Sequence, residues 1–387
     1  MTKASIAALL AALMFVASTF RVAAHSGDLP EHHSNGEGGS APVALSIGSD
    51  GAVSPASDHA PIGMMGDHRH RPGEWMISYR YMHMEMEGNR NGRDELTPEQ
   101  IVTGFANPHA GPATLRVVAT QMTMDMHMLG LMVGVSERVT MMVMTNYLEK
   151  EMDHITFQGG MPGTTRLGEF TTSSDGFGDT RVSALVGLWD RGFHDLQLNL
   201  GLSLPTGSND ETDQVLTPLN TRPTLRLPYP MQLGSGTFDA RPGLTYRGES
   251  SLAGLPLAFG GQYMATLRLG RDEGYSLGDV HELTTWASVS PAPWISGSIR
   301  LAGQVQGRID GQDPLITAPV QTADPDNQGG RVLDVGLGLN LLGQSGVLQG
   351  HRAAVEILLP AYRNLNGPQL ETDWTLIFGW QKVIDWP

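Results

Sequence analysis

Trp75-Met76-Ile77-Ser78-Tyr79-Arg80-Tyr81-Met82-His83-Met84-Glu85-Met86 alternates two residue sets with a period of two. In an extended chain successive side chains point to opposite faces, so the odd positions gather aromatics while the even positions gather thioethers. The stretch predicts a strand with two distinct environments. Of the 20 Met, 16 lie between Met64 and Met161, where a uniform spread would place about five. The excess is local and asks for a local cause.

The same period recurs further along. Leu196, Leu198, Leu200, Leu202 and Leu204 oppose Gln197, Asn199, Gly201 and Ser203. Leu333, Val335, Leu337 and Leu339 oppose Asp334, Gly336, Gly338 and Asn340, and Trp374, Leu376, Phe378 and Trp380 oppose Thr375, Gly379 and Gln381. Matching runs are expected near 114–135, 139–152, 177–189, 237–247, 256–269, 282–290, 294–306 and 352–360. The total is twelve strands, an even number that returns both ends of the sheet to one side. Short turns near 136–138, 191–193, 249–251, 291–293 and 343–345 alternate with long connections near 87–113, 153–175, 206–235 and 310–329. That asymmetry predicts an all-β, transmembrane antiparallel β-barrel of about 12 strands, spanning 71–387.

Composition bounds the rest. Lys3, the apolar Ile6–Val16 run and Val22-Ala23-Ala24 read as a signal peptide over 1–24, with export to the outer membrane and a mature chain starting at His25. Without that segment 23 basic residues face 40 acidic ones, a balance that excludes nucleic acid as a partner. The chain has no Cys, so neither disulfides nor thiolate metal sites are available. No later stretch has the ~18 consecutive apolar residues of a transmembrane helix, which leaves any bilayer crossing to strands. Residues 25–70 are rich in Gly, Ser, Pro, Asp and His without periodicity, and are expected to form a flexible His-rich periplasmic arm.

In the barrel phase, Arg80, Asp179, Arg181, Asp239, Arg241, Arg268, Arg300, Asp334, Arg352 and Glu356 fall on the inward face. A lumen with both charge signs suits a narrow or plugged barrel. Trp75, Tyr79, Tyr81, Trp374 and Trp380 fall outside, some of them in aromatic girdles.

Gly176-Phe177-Gly178-Asp179, Leu204-Pro205-Thr206-Gly207, and Leu365-Asn366-Gly367-Pro368-Gln369 ahead of Asp373-Trp374 carry a resemblance. In this order the chain resembles, over about 70–387, the outer-membrane barrel "transporter" family related to phenol-degradation MetA-pathway proteins. His59-Ala60-Pro61-Ile62-Gly63-Met64-Met65-Gly66-Asp67-His68-Arg69-His70, running into Gly73-Glu74-Trp75-Met76, resembles the start of a Met- and His-rich branch of it. The resemblance implies an outer-membrane barrel for passage of a small solute, which it does not identify. The end of the chain, Asp385-Trp386-Pro387, departs from the terminal aromatic of many such barrels.

A hairpin of the first two strands with paired positions summing to 210 aligns both faces. It opposes Met82 to Met128, Met84 to Met126 and Met86 to Met124 inside, with Met122 and Met132 flanking, and His83 to His127 outside. A turn at 136–138 then carries Met142 and Met144 alongside Met132 and Gly130. Thioether sulfur is a soft neutral donor suited to Cu(I), and imidazole also accepts Cu(II). The candidate metal set is therefore Met82, Met84, Met86, Met122, Met124, Met126, Met128, Met132, Met142 and Met144, with His25, His59, Met64, Met65, His68 and His70 in the arm.

Three functions compete on these residues. The first is an outer-membrane conduit or binder for a soft metal ion, copper first, requiring no cofactor and taking copper as ligand. The second treats the thioethers as adaptable apolar filler and gives a channel for small hydrophobic or aromatic compounds. The third is a scaffold for periplasmic metal-handling proteins. No Gly-rich phosphate loop, nucleophile elbow or Cys nucleophile supports an enzyme. His194, His281 and His351 are expected at the surface or membrane interface.

Overall fold

The computed structural model describes residues 55–159 and 163–385. The expected signal peptide, His25 and most of the expected arm lie outside them.

Ten hydrogen-bonded strands and a long terminal segment form the wall: β1 (Glu74–Gly92), β2 (Val117–Ser136), β3 (Val139–Phe157), β4 (Thr180–Arg191), β5 (His194–Leu204), β6 (Phe238–Leu252), β7 (Leu255–Leu269), β8 (Val280–Ala292), β9 (Ile295–Gln306), β10 (Gly330–Leu342) and His351–Asp385. The last segment pairs antiparallel with β10 on one side and antiparallel with β1 on the other, which closes the barrel. Eleven antiparallel segments cannot close, because the two flanking strands would have to run alike.

The solution is in the segment itself. At 35 residues it would extend over 100 Å if straight. It folds back at Asn366-Gly367, where Gly367 has φ of 80°. The N–H of Val383 accordingly reaches the carbonyl of Gly350 at 3.2 Å, and Trp380 Nε1 donates to His351 Nδ1 at 3.1 Å. Its two limbs, β11 (351–365) and β12 (368–385), bring the wall to twelve crossings, the number read from the alternation. Two further segments, Asp94–Leu96 and Arg166–Phe177, extend the sheet outside the closed path.

Alternation does what it predicts. Ile77, Leu129, Leu131, Leu200, Ile299, Leu337 and Phe378 stand exposed on the outer face, as in a barrel whose outer side is apolar. Outward imidazoles pair with aromatic side chains: Tyr79 with His127 at 2.8 Å, Tyr246 with His194 at 2.7 Å and Tyr263 with His281 at 2.8 Å. These amphipathic pairs suit a lipid–water boundary, so His194, His281 and His351 take the interface role expected of them.

Several expectations change. The β1–β2 register sums to 208, so Met82 faces Met126, Met84 faces Met124 and Met86 faces Met122, while His83 faces Asp125 and His127 faces Tyr81. A slip of two positions keeps every side chain on its expected face. The β2–β3 expectation holds, with Met132 opposite Met142 and Gly130 opposite Met144. The turn expected at 249–251 lies at Ala253-Gly254 instead, where φ values of 51° and 81° match the mirror-image turn that follows strand twist.

Arg166–Phe177 pairs only with the far half of β3, while β4 pairs with its near half. The break falls at the Gly178-Asp179 motif. Asp179 there accepts from the N–H of Gly207 at 3.1 Å and from the N–H of Ser235 at 2.9 Å, tying the long 206–235 loop to the wall.

Candidate functional site

The lumen is stoppered near its short-turn end by the chain's own residues 55–73. Sixteen positions of the expected flexible arm, 55–70, are thus built into the barrel: Ser57, His59, Ile62, Met64, Asp67, His68 and His70 are all buried. The physical reason is complementarity between an unpaired backbone and inward donors and acceptors. Arg80 Nε donates to the Ile62 carbonyl at 2.9 Å, Arg352 Nη2 to the Ala60 carbonyl at 2.5 Å, and Gln197 Nε2 to the Gly66 carbonyl at 2.6 Å. Gly63 donates its N–H to Glu356 Oε2 at 2.9 Å. Arg69 pairs with Asp195 of β5.

The inward charges expected from alternation are therefore largely consumed by each other and by this plug. Arg300 meets Glu356 at 2.7 Å and 3.2 Å, Arg268 meets Asp239, and Arg363 meets Asp334. Burial of such pairs specifies one arrangement more than it stabilises it.

Three histidines of the candidate metal set adjoin one another in the plug. His68 lies between His59 and His70, with ring centroids 5.7 Å and 5.0 Å away. Asp67 lies 3.0 Å from His68, and Glu74 lies 3.2 Å from His70. Burial first, then the Arg352 charge, holds the His59 imidazolium well below the usual histidine range; burial also lowers that of His70. Both are neutral bases at neutral pH. Among the described residues no group of three or more His, Asp or Glu side chains is arranged to hold a metal ion.

The thioethers line one wall, formed by β1, β2 and β3. A narrow crevice lies between plug and wall, with Met65, Gly66 and Asp67 on the plug side and Met76, Ser78, Arg80, Met132, Met142 and Met144 on the wall. Farther from the plug, Met126 Sδ accepts from Asn146 at 3.7 Å and Met84 Sδ accepts from Thr372 at 3.8 Å. Met82 packs near Ile62, Ala354 and Ile377. Near the long-loop end Met86 and Met122 join Met152, Leu227 and Met231. Met128 is buried in the same stripe, opposite Arg80, and Met124 faces Met84.

One of the candidate residues separates from the rest. Met64 points to the other side of the lumen and packs on Trp286 of β8. Met76, Met152 and Met231 are lining residues absent from the expected set. Met76 could have been found, since it shares the even face of β1; Met231 comes from a loop that no periodicity marks.

The long-loop end is capped as well. The 206–235 and 310–329 connections turn inward and bury Leu216, Tyr229, Ile316 and Val320 against Val117, Phe170 and Tyr275. A seven-residue helix, α1 (Pro98–Gly104), opens with a capping box from Thr97 and Gln100 and packs its Ile101 and Val102 near Leu115 and Phe157. A second cavity lies beneath these loops.

Residues 76–288 match the family described as "Putative MetA-pathway of phenol degradation". No curated protein matches the chain. Among solved structures, an outer membrane channel from Pseudomonas putida F1 is similar at a TM-score of 0.51 with 14% identity, covering 83% of this chain and 99% of that one. A Pseudomonas aeruginosa FadL homologue gives a TM-score of 0.39 with 10% identity, over 84% of this chain and 96% of that one. The TodX deltaS2S3 mutant monoaromatic hydrocarbon channel gives 0.39 with 8% identity, over 81% and 91%. At 14% identity, what is shared with the P. putida channel is the fold.

Proposed function

The chain belongs to the family described as "Putative MetA-pathway of phenol degradation", and from that premise we propose that it is an outer-membrane channel for small hydrophobic or aromatic compounds. The outward apolar band and paired aromatic girdles fit a bilayer, with the short turns and the plug on the periplasmic side. One observation carries the choice of solute. Against a lumen otherwise filled by ion pairs, one wall runs from Met86 and Met122 down to Met132, Met142 and Met144 as a stripe of neutral thioethers. Such a surface is apolar, deformable and favourable toward aromatic rings, by ~0.3–1.5 kcal/mol per contact. Passage requires the plug and the inward loops to give way, so the channel is gated at both ends.

A soft metal ion is the second reading. It draws on the five thioethers of Met65, Met76, Met132, Met142 and Met144 around one cavity. The two readings differ in what Leu does. Replacing Met65, Met76, Met132, Met142 and Met144 with Leu conserves volume and apolarity but removes all five sulfur donors of that cavity. A channel for aromatic compounds keeps its flux of toluene into proteoliposomes after this change. Loss of that flux in a folded variant, together with saturable Cu(I) binding by the unaltered protein, would overturn the aromatic reading in favour of copper.

A further inference from the structure

Arg181 of β4, Arg241 of β6 and Glu282 of β8 turn into the lumen and form no ion pair among the described residues. Arg181 Nε is in addition buried without a hydrogen-bond partner. Arg241 donates only to the neutral Thr266 Oγ1, at 2.6 Å. All three residues are half-buried, so their charged ends border open space rather than packed protein. Arg181 is directly opposite Met144, which borders the plug, and stands two positions after Asp179, which holds the 206–235 loop. The group therefore lies between the two caps of the lumen.

The charges felt most by Arg181 are those of Glu282, Asp179, Arg268 and Asp239; Arg241 feels those of Arg181, Glu282, Arg268 and Asp239. Two of the acids are already occupied. Asp179 accepts from the Gly207 and Ser235 N–H groups, and Asp239 accepts from Arg268 and, at 2.7 Å, from Thr237 Oγ1. Glu282 has no such bonds among the described residues. Arg181 and Glu282 flank Arg241 two strands away on either side, Arg181 through Ser203 and Glu282 through Met264. Three guanidiniums and three carboxylates balance, yet Arg181 and Arg241 are kept apart from Glu282 by an open gap. Charged groups held away from bulk water without partners are costly, and a site made of them discriminates strongly for a solute that satisfies them all.

We propose that Arg181, Arg241 and Glu282 form a binding site for a small zwitterion of the amino-acid class. Its carboxylate takes the guanidinium donors, whose planar fork matches two carboxylate oxygens. Its ammonium group donates to Glu282. Met144, opposite Arg181, and Met264, opposite Glu282, offer neutral thioether surface to the carbon skeleton between the charges. A solute with one charge of either sign leaves a lumen charge unmatched. The site goes beyond the aromatic-channel reading and stands whether or not aromatic compounds cross the barrel.

Calorimetric titration of the full-length refolded protein in detergent, with glycine, acetate and methylammonium at fixed ionic strength, tests it. Glycine should bind saturably, and acetate and methylammonium each roughly tenfold or more weakly. Arg181→Gln, Arg241→Gln and Glu282→Gln, which keep the side-chain length, should each weaken glycine binding about tenfold. Only Glu282→Gln should also weaken methylammonium, and only the two Arg variants acetate. Heat-modifiable migration in gels verifies that each variant is a folded barrel, and any one that folds suffices. Acetate binding as tightly as glycine would make this an anion site, methylammonium doing so a cation site, and either result overturns the proposal. So would the absence of saturable glycine binding, or glycine affinity unchanged in the folded variants. None of these outcomes bears on toluene flux, which tests the channel reading separately.

Discussion

The backbone N–H of Gly63 donates to Oε2 of Glu356 at 2.9 Å, while Oε1 of the same carboxylate accepts from Arg300 Nε at 2.7 Å. One buried carboxylate thus serves both the wall and the plug. Removing it in Glu356→Ala strands Arg300 inside the lumen, a loss of about 3–5 kcal/mol for a broken buried pair. Single-channel conductance in planar bilayers should rise as the plug loses its seat, and the unfolding temperature in detergent should fall. An unchanged conductance would mean the plug is held elsewhere.

Gly63 gives a version of the same test that leaves all charges in place. A β-carbon there would sit 2.7 Å from Glu356 Oε2 and 2.9 Å from Ile377 Cδ1, closer than such contacts allow. Gly63→Ala should therefore open the channel. Gly297→Ala, where nothing lies within 4 Å, should leave conductance as it was.

Acidification should release the plug. His59 and His70 are held below the ordinary histidine value of 6.5, chiefly by burial, with Arg352, Arg247 and His68 opposing the His59 charge and Asp67 and Glu74 favouring charge on the neighbouring rings. A buried neutral base binds fewer protons than a released one, so docking is favoured above that value and weakens as pH falls through it. Open probability measured between pH 8 and pH 5 should rise on the acid side. In a His59→Gln, His70→Gln variant the profile should be flat.

The plug can also be locked. The N–H of Ser57 donates to Ser290 Oγ at 2.7 Å, and the chain contains no Cys to interfere. A Ser57→Cys, Ser290→Cys variant should conduct poorly when oxidised and recover with a reductant. Equal flux in both states would show that the solute bypasses this segment.

Much of the barrel was legible in the residues themselves. The period of two is imposed by backbone geometry, so twelve alternating runs, the outward aromatics, the inward charges and the Met face of Trp75–Met86 could be read without any partner strand. Even the two-position error in the β1–β2 register left every face correct, because a shift by an even number cannot turn a side chain over. What had no periodicity had no voice. Residues 55–70 look like a polar linker, and nothing local says that Arg80, Arg352 and Glu356, distant in sequence, will converge to satisfy their backbone. The same holds for Met231, whose surroundings are made by inward-turned loops. Local sequence determined which face each side chain takes; only closure of the sheet decided which of them meet in the lumen, because those contacts depend on long-range packing that no single strand encodes.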